Sequence, residues 1–217
     1  MKLPKSIAYS CLALGLVAGF QAQAVQVNVD PASAWIGYMN VFNLPADGGA
    51  YVFGQPWGAA DLRAAFAGNI VTLAPNTNVY NPSDTFWVKP NGDGNKTMDA
   101  SFYVQDDSLA GQSVNFVGNV IQNSLVAPYT SVAFIKDFAP DYSSSTSVTI
   151  ALNSGSFFSL TLATAAGHHI QYGFETIGPD ANPNTAGALG NVTVIPEPSA
   201  VALLCLAGGA FLAYRRR

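Results

Sequence analysis

The sequence predicts an all-β protein, an antiparallel β-sandwich of the jelly-roll type, flanked by one helix on each side. Two observations indicate this fold. Between residues 71 and 176 the chain contains short runs that are rich in β-branched and aromatic residues. Clusters of Gly, Pro, Asn, Asp and Ser separate these runs, and such clusters form turns and interrupt helices. Because there is no helical layer to cover the strands, we expect two sheets packed face to face.

Eight runs are predicted strands. In several of them apolar and polar side chains alternate, as Val114 and Phe116 do with Ser113 and Asn115. A period of two with one polar face is typical of an antiparallel strand that is half exposed to water. The runs are residues 71–73, 86–88, 101–104, 113–117, 132–135, 147–152, 157–162 and 169–176.

Two further segments leave alternatives open. Residues 59–67 contain Ala, Leu and Arg as a helix would, but Leu62, Ala64 and Phe66 alternate, and we favour a strand. Residues 178–190 are rich in Gly, Pro and small polar residues. This segment is interpreted as a loop that leads into a short strand at 191–195, or as a linker to the C-terminal segment.

The N-terminal residues 1–24 have the pattern of a secretory signal peptide. Lys2 and Lys5 give a positive beginning, and residues 7–20 are an apolar stretch. Ala22 and Ala24 place small residues where signal peptidase requires them, so we expect cleavage before Val25. The protein is therefore expected to be exported.

The C-terminal residues 194–217 combine three features in order. Pro196, Glu197 and Pro198 form an extended segment, because proline fixes φ and interrupts helices. Residues 200–214 are an uncharged apolar run that predicts a transmembrane helix, although fifteen residues are fewer than the roughly 20 that span a bilayer. The terminal arginines belong on the cytoplasmic side. The predicted membrane anchor comprises Leu203, Leu204, Leu206, Phe211, Arg215, Arg216 and Arg217.

This order of Pro-Glu-Pro, apolar helix and terminal arginine cluster resembles the PEP-CTERM sorting signal of Gram-negative bacteria. The resemblance covers residues 194–217. It implies that an exosortase, a membrane protease, recognises this segment and cuts near the motif. The protein would then be anchored transiently in the inner membrane and released to the cell surface or the extracellular space.

The exported domain, residues 25–193, lies between these two targeting segments. Cys11 and Cys205 both fall outside it, so the domain has no disulfide and no thiol chemistry. It contains twelve acidic residues and four basic ones, a formal net charge of −8. Such a charge excludes nucleic acid as a partner and leaves neutral glycans, cations or other proteins.

The sequence gives little indication of catalysis. His168 and His169 are the two histidines, and neighbours in a strand point to opposite faces. No Gly-x-Ser-x-Gly motif occurs, and Glu175 is the sole glutamate of the domain. We therefore predict no catalytic residues, no cofactor and no enzymatic activity.

Metal binding is not predicted, but calcium remains open. Residues 91–95 resemble the start of a calcium loop, yet Lys96 and Phe102 stand where an EF-hand requires Gly and Glu. A glycine-rich turn is therefore the favoured interpretation. Four aspartates could still contribute to a calcium site elsewhere, namely Asp137, Asp141, Asp30 and Asp180.

Aromatic residues in the first half of the domain suggest glycan binding. Trp57, Tyr80 and Trp87 are the candidate binding residues, because aromatic faces stack on sugar rings. Packing in the core is the alternative for each of them. Residues 170–175, followed by Gly178, Pro179 and Asp180, resemble the closing strand and loop of jelly-roll carbohydrate-binding modules.

We therefore expect a non-catalytic surface or extracellular-matrix protein that is processed by signal peptidase and exosortase. Polysaccharide is the expected partner, in addition to the membrane that holds the C-terminal helix. A structural or adhesive matrix component without glycan binding is the first alternative, and a glycan-acting hydrolase is the second.

Overall fold

The computed structural model describes residues 23–197, which form twelve β-strands and three short 3₁₀ turns. The turns are Pro45–Asp47, Asp107–Leu109 and Ala186–Leu189. The strands are β1 (Val25–Asn28), β2 (Trp35–Asn43), β3 (Tyr51–Trp57), β4 (Ala64–Ala67), β5 (Ile70–Leu73), β6 (Lys96–Gln105), β7 (Ser113–Asn123), β8 (Thr130–Phe138), β9 (Ser145–Ala151), β10 (Phe157–Ala163), β11 (His169–Pro179) and β12 (Val192–Ile195).

The strands form two six-stranded sheets. Sheet A has the order β10-β7-β12-β5-β4, and β1 pairs with β7 on the same edge as β12. Sheet B has the order β3-β2-β6-β11-β8-β9. Among the described strands, only the pairing of β1 with β7 is parallel, and the others are antiparallel.

The two sheets pack face to face around an aromatic core. Phe116 of sheet A and Phe174 of sheet B are both fully buried, with ring centroids 5.5 Å apart. Trp35 stacks on Phe102 at 4.7 Å and on Phe174 at 5.9 Å. The predicted β-sandwich is therefore confirmed, because strands from both sheets contribute to one core.

Most predicted strands are present, but residues 86–88 are not one. Asp84 forms a local turn in which its carbonyl oxygen accepts from the N–H groups of Trp87 and Val88. Its carboxylate also accepts from the N–H of Phe86. Val88 makes one isolated bridge to Gly94, so these hydrogen bonds replace a strand with a turn.

The structure distinguishes between the alternatives for residues 59–67 and 178–190. Residues 59–63 form turns and residues 64–67 form β4, so the strand interpretation holds for the second half of residues 59–67. Residues 192–195 form β12, which lies between β7 and β5. The segment 178–190 accordingly begins in β11 and continues as a loop that leads into a central strand.

The two ends of the described chain lie close together. The side-chain amide of Gln26 in β1 donates to the carboxylate of Glu197, 3.2 Å away, just after β12. Ala24 immediately precedes β1, and Pro196 immediately follows β12. Both ends of the domain therefore leave from one edge of β7.

Within residues 23–197, no helix is long and apolar enough to cross a membrane. Ala22, Pro198, the predicted helix at 200–214 and its anchor residues lie outside the described residues, as does nearly all of the predicted signal peptide.

Candidate functional site: a cleft on the outer face of sheet B

The outer face of sheet B carries a cleft of about 510 Å³. Alternation along β6 creates it, because Ala100, Phe102 and Val104 belong to the core while the residues between them point outwards. The cleft is lined by Tyr38, Asn40, Pro56, Ser101, Tyr103, Gln105, Lys136, Phe138, Tyr142 and Gln171.

Strand register brings the outward residues of five strands into rows. One row runs from Gln105 in β6 through Gln171 in β11 to Lys136 in β8. A parallel row runs from Pro56 in β3 through Tyr38 in β2 to Ser101 in β6. Residues opposite each other on neighbouring strands are about 5 Å apart, so each row presents a continuous polar and aromatic surface.

Gly173 lies between the two rows, opposite Tyr103 on one side and Phe134 on the other. A Cβ atom at this position would lie 2.3 Å from the carbonyl oxygen of Phe102 and 2.7 Å from the Cβ of Tyr103. The Tyr103 side chain therefore lies over Gly173, and a larger residue there would displace an aromatic wall of the cleft.

A chain of hydrogen bonds connects three side chains at one end of the cleft. The Gln171 amide donates to Oε1 of Gln105 at 3.0 Å, and the Gln105 amide lies 3.2 Å from the Tyr142 hydroxyl. Tyr142 belongs to the turn between β8 and β9, has a φ of 57° and is 50% exposed. Its ring stacks on the imidazole of His169, whose Nδ1 lies 2.7 Å from Oδ2 of Asp107.

An ionic group lies beneath the middle of the cleft. Lys136 pairs with Glu175, and the Ser101 hydroxyl donates to the same carboxylate at 3.2 Å. Burial, followed by the charge of Glu175, raises the pKa of the neighbouring Asp99 to about 7, whereas Lys136 and a hydrogen bond from Asn40 oppose this rise. The Lys136 ammonium also lies 4.4 Å from the centre of the Phe134 ring.

This arrangement is suited to binding hydroxyl groups and sugar faces. Tyrosine rings offer apolar faces, while the amides of Asn40, Gln105 and Gln171 can both donate and accept hydrogen bonds. The carboxylate of Glu175 is already bonded to Lys136 and Ser101. The polar groups therefore resemble those of a binding surface, in which a few placed groups orient a ligand.

The three aromatic residues named from the sequence lie outside this cleft. Trp57 ends β3, and it and Trp87 are half-buried and pack against the core. Trp87 also makes an edge contact with Phe53. The Tyr80 hydroxyl donates to the carbonyl oxygen of Gly92 at 2.7 Å. Tyr80 and Trp87 belong to the segment between β5 and β6, whereas Trp57 ends β3.

The cleft residues that the sequence analysis does not identify include Tyr38, Gln105 and Tyr142. For Tyr38 and Gln105 the signal is the alternation of polar or aromatic residues with apolar ones, visible in β6 as Ser101, Tyr103 and Gln105, whereas Tyr142 lies in a turn and has no such signal. Alternation identifies an outer face, but it does not tell which strands are neighbours.

Three of the four aspartates considered for calcium already accept hydrogen bonds within the protein. Asp30 accepts from the N–H of Ala32, and Asp141 accepts from Ser143. Asp137 accepts from the N–H of Ala165 and lies 2.6 Å from Nδ1 of His168. Asp180 differs from them, because neither of its carboxylate oxygens has a partner. In residues 23–197, no group of three or more His, Cys, Asp or Glu side chains is placed to hold a metal ion.

Comparison with protein-family models, with curated proteins and with solved structures finds no match to this chain. The chemistry of the cleft and the organisation of the sequence therefore carry the functional argument.

Proposed function

We propose that this protein is an exported, exosortase-processed and non-catalytic component of the cell surface or extracellular matrix that binds a polysaccharide in the cleft of sheet B. The observation that carries the binding proposal is the group of amide and tyrosine side chains that line the cleft on that face. Tyr38 and Tyr142 offer ring surface, and Gln105 and Gln171 offer hydrogen-bonding groups. This combination fits the alternating apolar and hydroxyl faces of a sugar chain.

A neutral, hydroxyl-rich glycan is the class of ligand that we favour. The domain is strongly acidic, so an anionic polysaccharide would be repelled over most of its surface. The one ammonium in the cleft, that of Lys136, is paired with Glu175. Uncharged amide and phenol groups are therefore the main contacts available to a ligand.

The strand order supports the jelly-roll interpretation of the sandwich. From β5 to β12, sheet A contains β5-β12-β7-β10 and sheet B contains β6-β11-β8-β9. These two four-stranded sets have the arrangement expected when an eight-stranded antiparallel chain folds as two Greek keys. On this interpretation β2, β3 and β4 extend the edges of the two sheets, and β1 lies beside β7 on the same side as β12.

The sorting part of the proposal rests on the sequence of residues 194–217. The closeness of Gln26 and Glu197 is compatible with it, because a domain whose ends meet can be carried by a signal peptide and by a C-terminal anchor at one place. Mass spectrometry of released protein should find a C-terminus between Pro196 and Ser199. Recovery of released protein that still ends at Arg217 would contradict exosortase processing.

Affinity gel electrophoresis with neutral polysaccharides tests the binding proposal. We expect the migration of the protein to be retarded, and Tyr38→Ala or Gln105→Ala to abolish the retardation while the fold is retained. Phe157→Ala is the matched control, because Phe157 is 50% exposed on β10 of sheet A, away from the cleft.

The other outcomes of this experiment separate the alternatives. If no polysaccharide retards the folded protein, the cleft does not bind glycan and a structural or adhesive role takes its place. Oligosaccharides released during incubation would instead identify a hydrolase and contradict the non-catalytic part of the proposal.

A further inference from the structure

Strand β9 is an edge strand of sheet B with one side open. It pairs with β8 in a regular antiparallel register from Ser145 to Ala151, and within residues 23–197 no other strand pairs with it. Every residue of β9 is exposed except Val148, which is half-buried and packs against the core. The strand therefore has one unpaired edge and two faces that are largely open to solvent.

The composition of β9 lacks the features that keep an edge strand from pairing with another chain. Such strands are commonly short, bulged, or interrupted by charge or proline. At other edges, β4 has only four residues, and β3 contains Gly54, Pro56 and a shift of register against β2. β9 has seven residues, four of them β-branched, with no charge, proline or glycine. It is therefore suited to pair with a further strand.

Strand β10 is also an uncharged edge strand, but more of it is already in use. Phe158 and Leu160 on one face are buried in the core. On the other face, the hydroxyl of Ser159 donates to Asn115 at 2.8 Å. β9 by contrast has no buried residue, so it has the larger surface left for a partner.

The hydrogen bonds next to β9 show which of its backbone groups face the open edge. The N–H of Leu152 donates to the carbonyl of Ser131, and the N–H of Ala139 donates to the carbonyl of Ser144, in continuation of the β8–β9 register. Because hydrogen-bonded pairs alternate along an antiparallel ladder, the even-numbered residues of β9 bond to β8. The N–H and C=O groups of the odd-numbered residues therefore point to the open edge, namely those of Ser145, Ser147, Thr149 and Ala151.

These outward residues match those of a second copy of the same strand. A two-fold axis at Val148 would relate two antiparallel β9 strands, and Ser147 of each copy would lie opposite Thr149 of the other. Ser145 and Ala151 would be opposite each other in the same way, so every outward residue would meet an outward residue. Such an arrangement forms roughly eight hydrogen bonds between the chains. The open edge is therefore self-complementary.

The side chains suit this register as well. Val148 would lie beside its own counterpart, and Thr146 opposite Ile150, so that β-branched residues meet on the face turned to the core. Ile150 is 36% exposed in the single chain, and the pairing would cover it. The turn that contains Asp141 would lie beside residues 152–155 of the other copy, which carry no charge. Two copies of this acidic domain could thus meet at β9 without opposing like charges.

We propose that β9 is the interface for a second copy of this chain, with the two strands paired antiparallel about Val148. The B sheets of the two copies would then be joined into one sheet with six strands from each copy. This association depends neither on glycan binding nor on sorting. If the clefts do bind glycan, the dimer would carry two of them on one joined sheet.

Analytical ultracentrifugation of the purified full chain tests the interface. We expect the natural protein to sediment with the mass of two chains. Thr149→Pro removes an N–H that points to the open edge, and it leaves the hydrogen bonds to β8 in place, as proline in an edge strand can. Because a symmetric pair loses two hydrogen bonds at once, Thr149→Pro should raise the Kd of the dimer about tenfold or more.

Thr161→Pro is the matched control on β10. The N–H of Thr164 donates to Gln112, so by the same alternation the N–H of Thr161 points away from β7. This variant should associate as the natural protein does. A natural chain that sediments as a monomer would overturn the proposal. So would a Thr149→Pro variant that associates as tightly as the natural protein, or an equal loss of association in Thr161→Pro.

A disulfide trap tests the register separately. Val148→Cys should form a covalent dimer under mild oxidation, because opposite residues of a non-hydrogen-bonded pair have Cα atoms about 4.5 Å apart. Thr146→Cys lies on the same strand and face, but its two copies would be about 13 Å apart along the strands, beyond the reach of a disulfide. The natural protein gives the background from Cys11 and Cys205 on a non-reducing gel. Equal yields of covalent dimer from the two variants would contradict this register.

Discussion

The ring of Tyr142 lies flat on the imidazole of His169, with centroids 4.6 Å apart and planes 7° from parallel. Asp107 holds His169 from the other side of the turn, and the Tyr142 hydroxyl lies next to Gln105. The position of a cleft tyrosine thus depends on a histidine and an aspartate that do not line the cleft themselves.

The first prediction concerns the protonation of His169. Its hydrogen bond to Asp107 raises the pKa of His169, and the carbonyl of Pro140 adds to this. Because the folded-state pKa is raised, the stabilisation is fully present below about pH 6.5 and is lost as the pH rises through the folded value. Asp107→Asn should lower the pKa of His169, measured by NMR titration. Asp106→Asn is the control and should leave it unchanged, and an unchanged pKa in Asp107→Asn would contradict the assignment.

The second prediction concerns Asp99 beneath the cleft. Its pKa is about 7 in the folded protein, against an ordinary value of 3.8, so the folded state binds more protons between these values. The free energy of unfolding should therefore fall as the pH rises from 4 to 7. In Asp99→Asn, the decrease in the free energy of unfolding between pH 4 and pH 7 should be smaller by on the order of 2–4 kcal/mol. Urea unfolding across this pH range measures the difference.

Some pH dependence should remain in Asp99→Asn, because burial also raises the pKa of Asp180 to about 7. Asp47→Asn, at an exposed position, is the control and should keep the full slope. If the free energy of unfolding changes with pH equally in Asp99→Asn and in the natural protein, Asp99 ionises normally.

The third prediction concerns the aromatic core. Phe174 is fully buried and touches rings from both sheets, including Trp35 and Phe116. Phe174→Ala should lower the free energy of unfolding by about 3–5 kcal/mol, because it leaves a cavity between the sheets. Phe157→Ala removes the same ring from an exposed position and should cost less than about 1 kcal/mol. Equal losses in chemical denaturation would be inconsistent with a core between the two sheets.

The fourth prediction concerns sorting. Replacing Arg215, Arg216 and Arg217 by serine together should weaken the proposed anchor, because it removes the positive charges that are expected to stay on the cytoplasmic side. It should also disrupt the sorting signal that residues 194–217 resemble. Cell fractionation and immunoblotting should show uncleaved protein that is mislocalised or degraded. Normal processing and release of the triple variant would show that the basic end is not part of the signal.

The sequence predicted the strands where alternation and turn clusters coincide, and it failed where they do not. Each strand from β6 to β11 contains a predicted run, with ends displaced by up to six residues, as in β7, which continues to Asn123. β2 and β3 are not predicted from the sequence, because Gly37, Gly54 and Pro56 interrupt the alternation of apolar and polar residues. Pro56 is tolerated because β3 is an edge strand and one side of it needs no partner.

The candidate site was less predictable than the fold. Trp57 is a candidate from the sequence because aromatic faces stack on sugar rings, but it packs against the core, whereas its neighbour Pro56 lines the cleft. A shift of one residue reverses the face of a strand, and local sequence does not determine which face is covered. Gln105 and Gln171 are 66 residues apart, so their contact depends on β6 and β11 being adjacent.

The closeness of Gln26 and Glu197 also means that both ends of the described chain are attached to the same sheet. Both residues are attached to sheet A, and the cleft occupies the outer face of sheet B on the opposite side of the sandwich. A tether attached after residue 197 would therefore be joined to sheet A and not to the sheet that carries the cleft. Such a tether would leave the strands that form the cleft unattached.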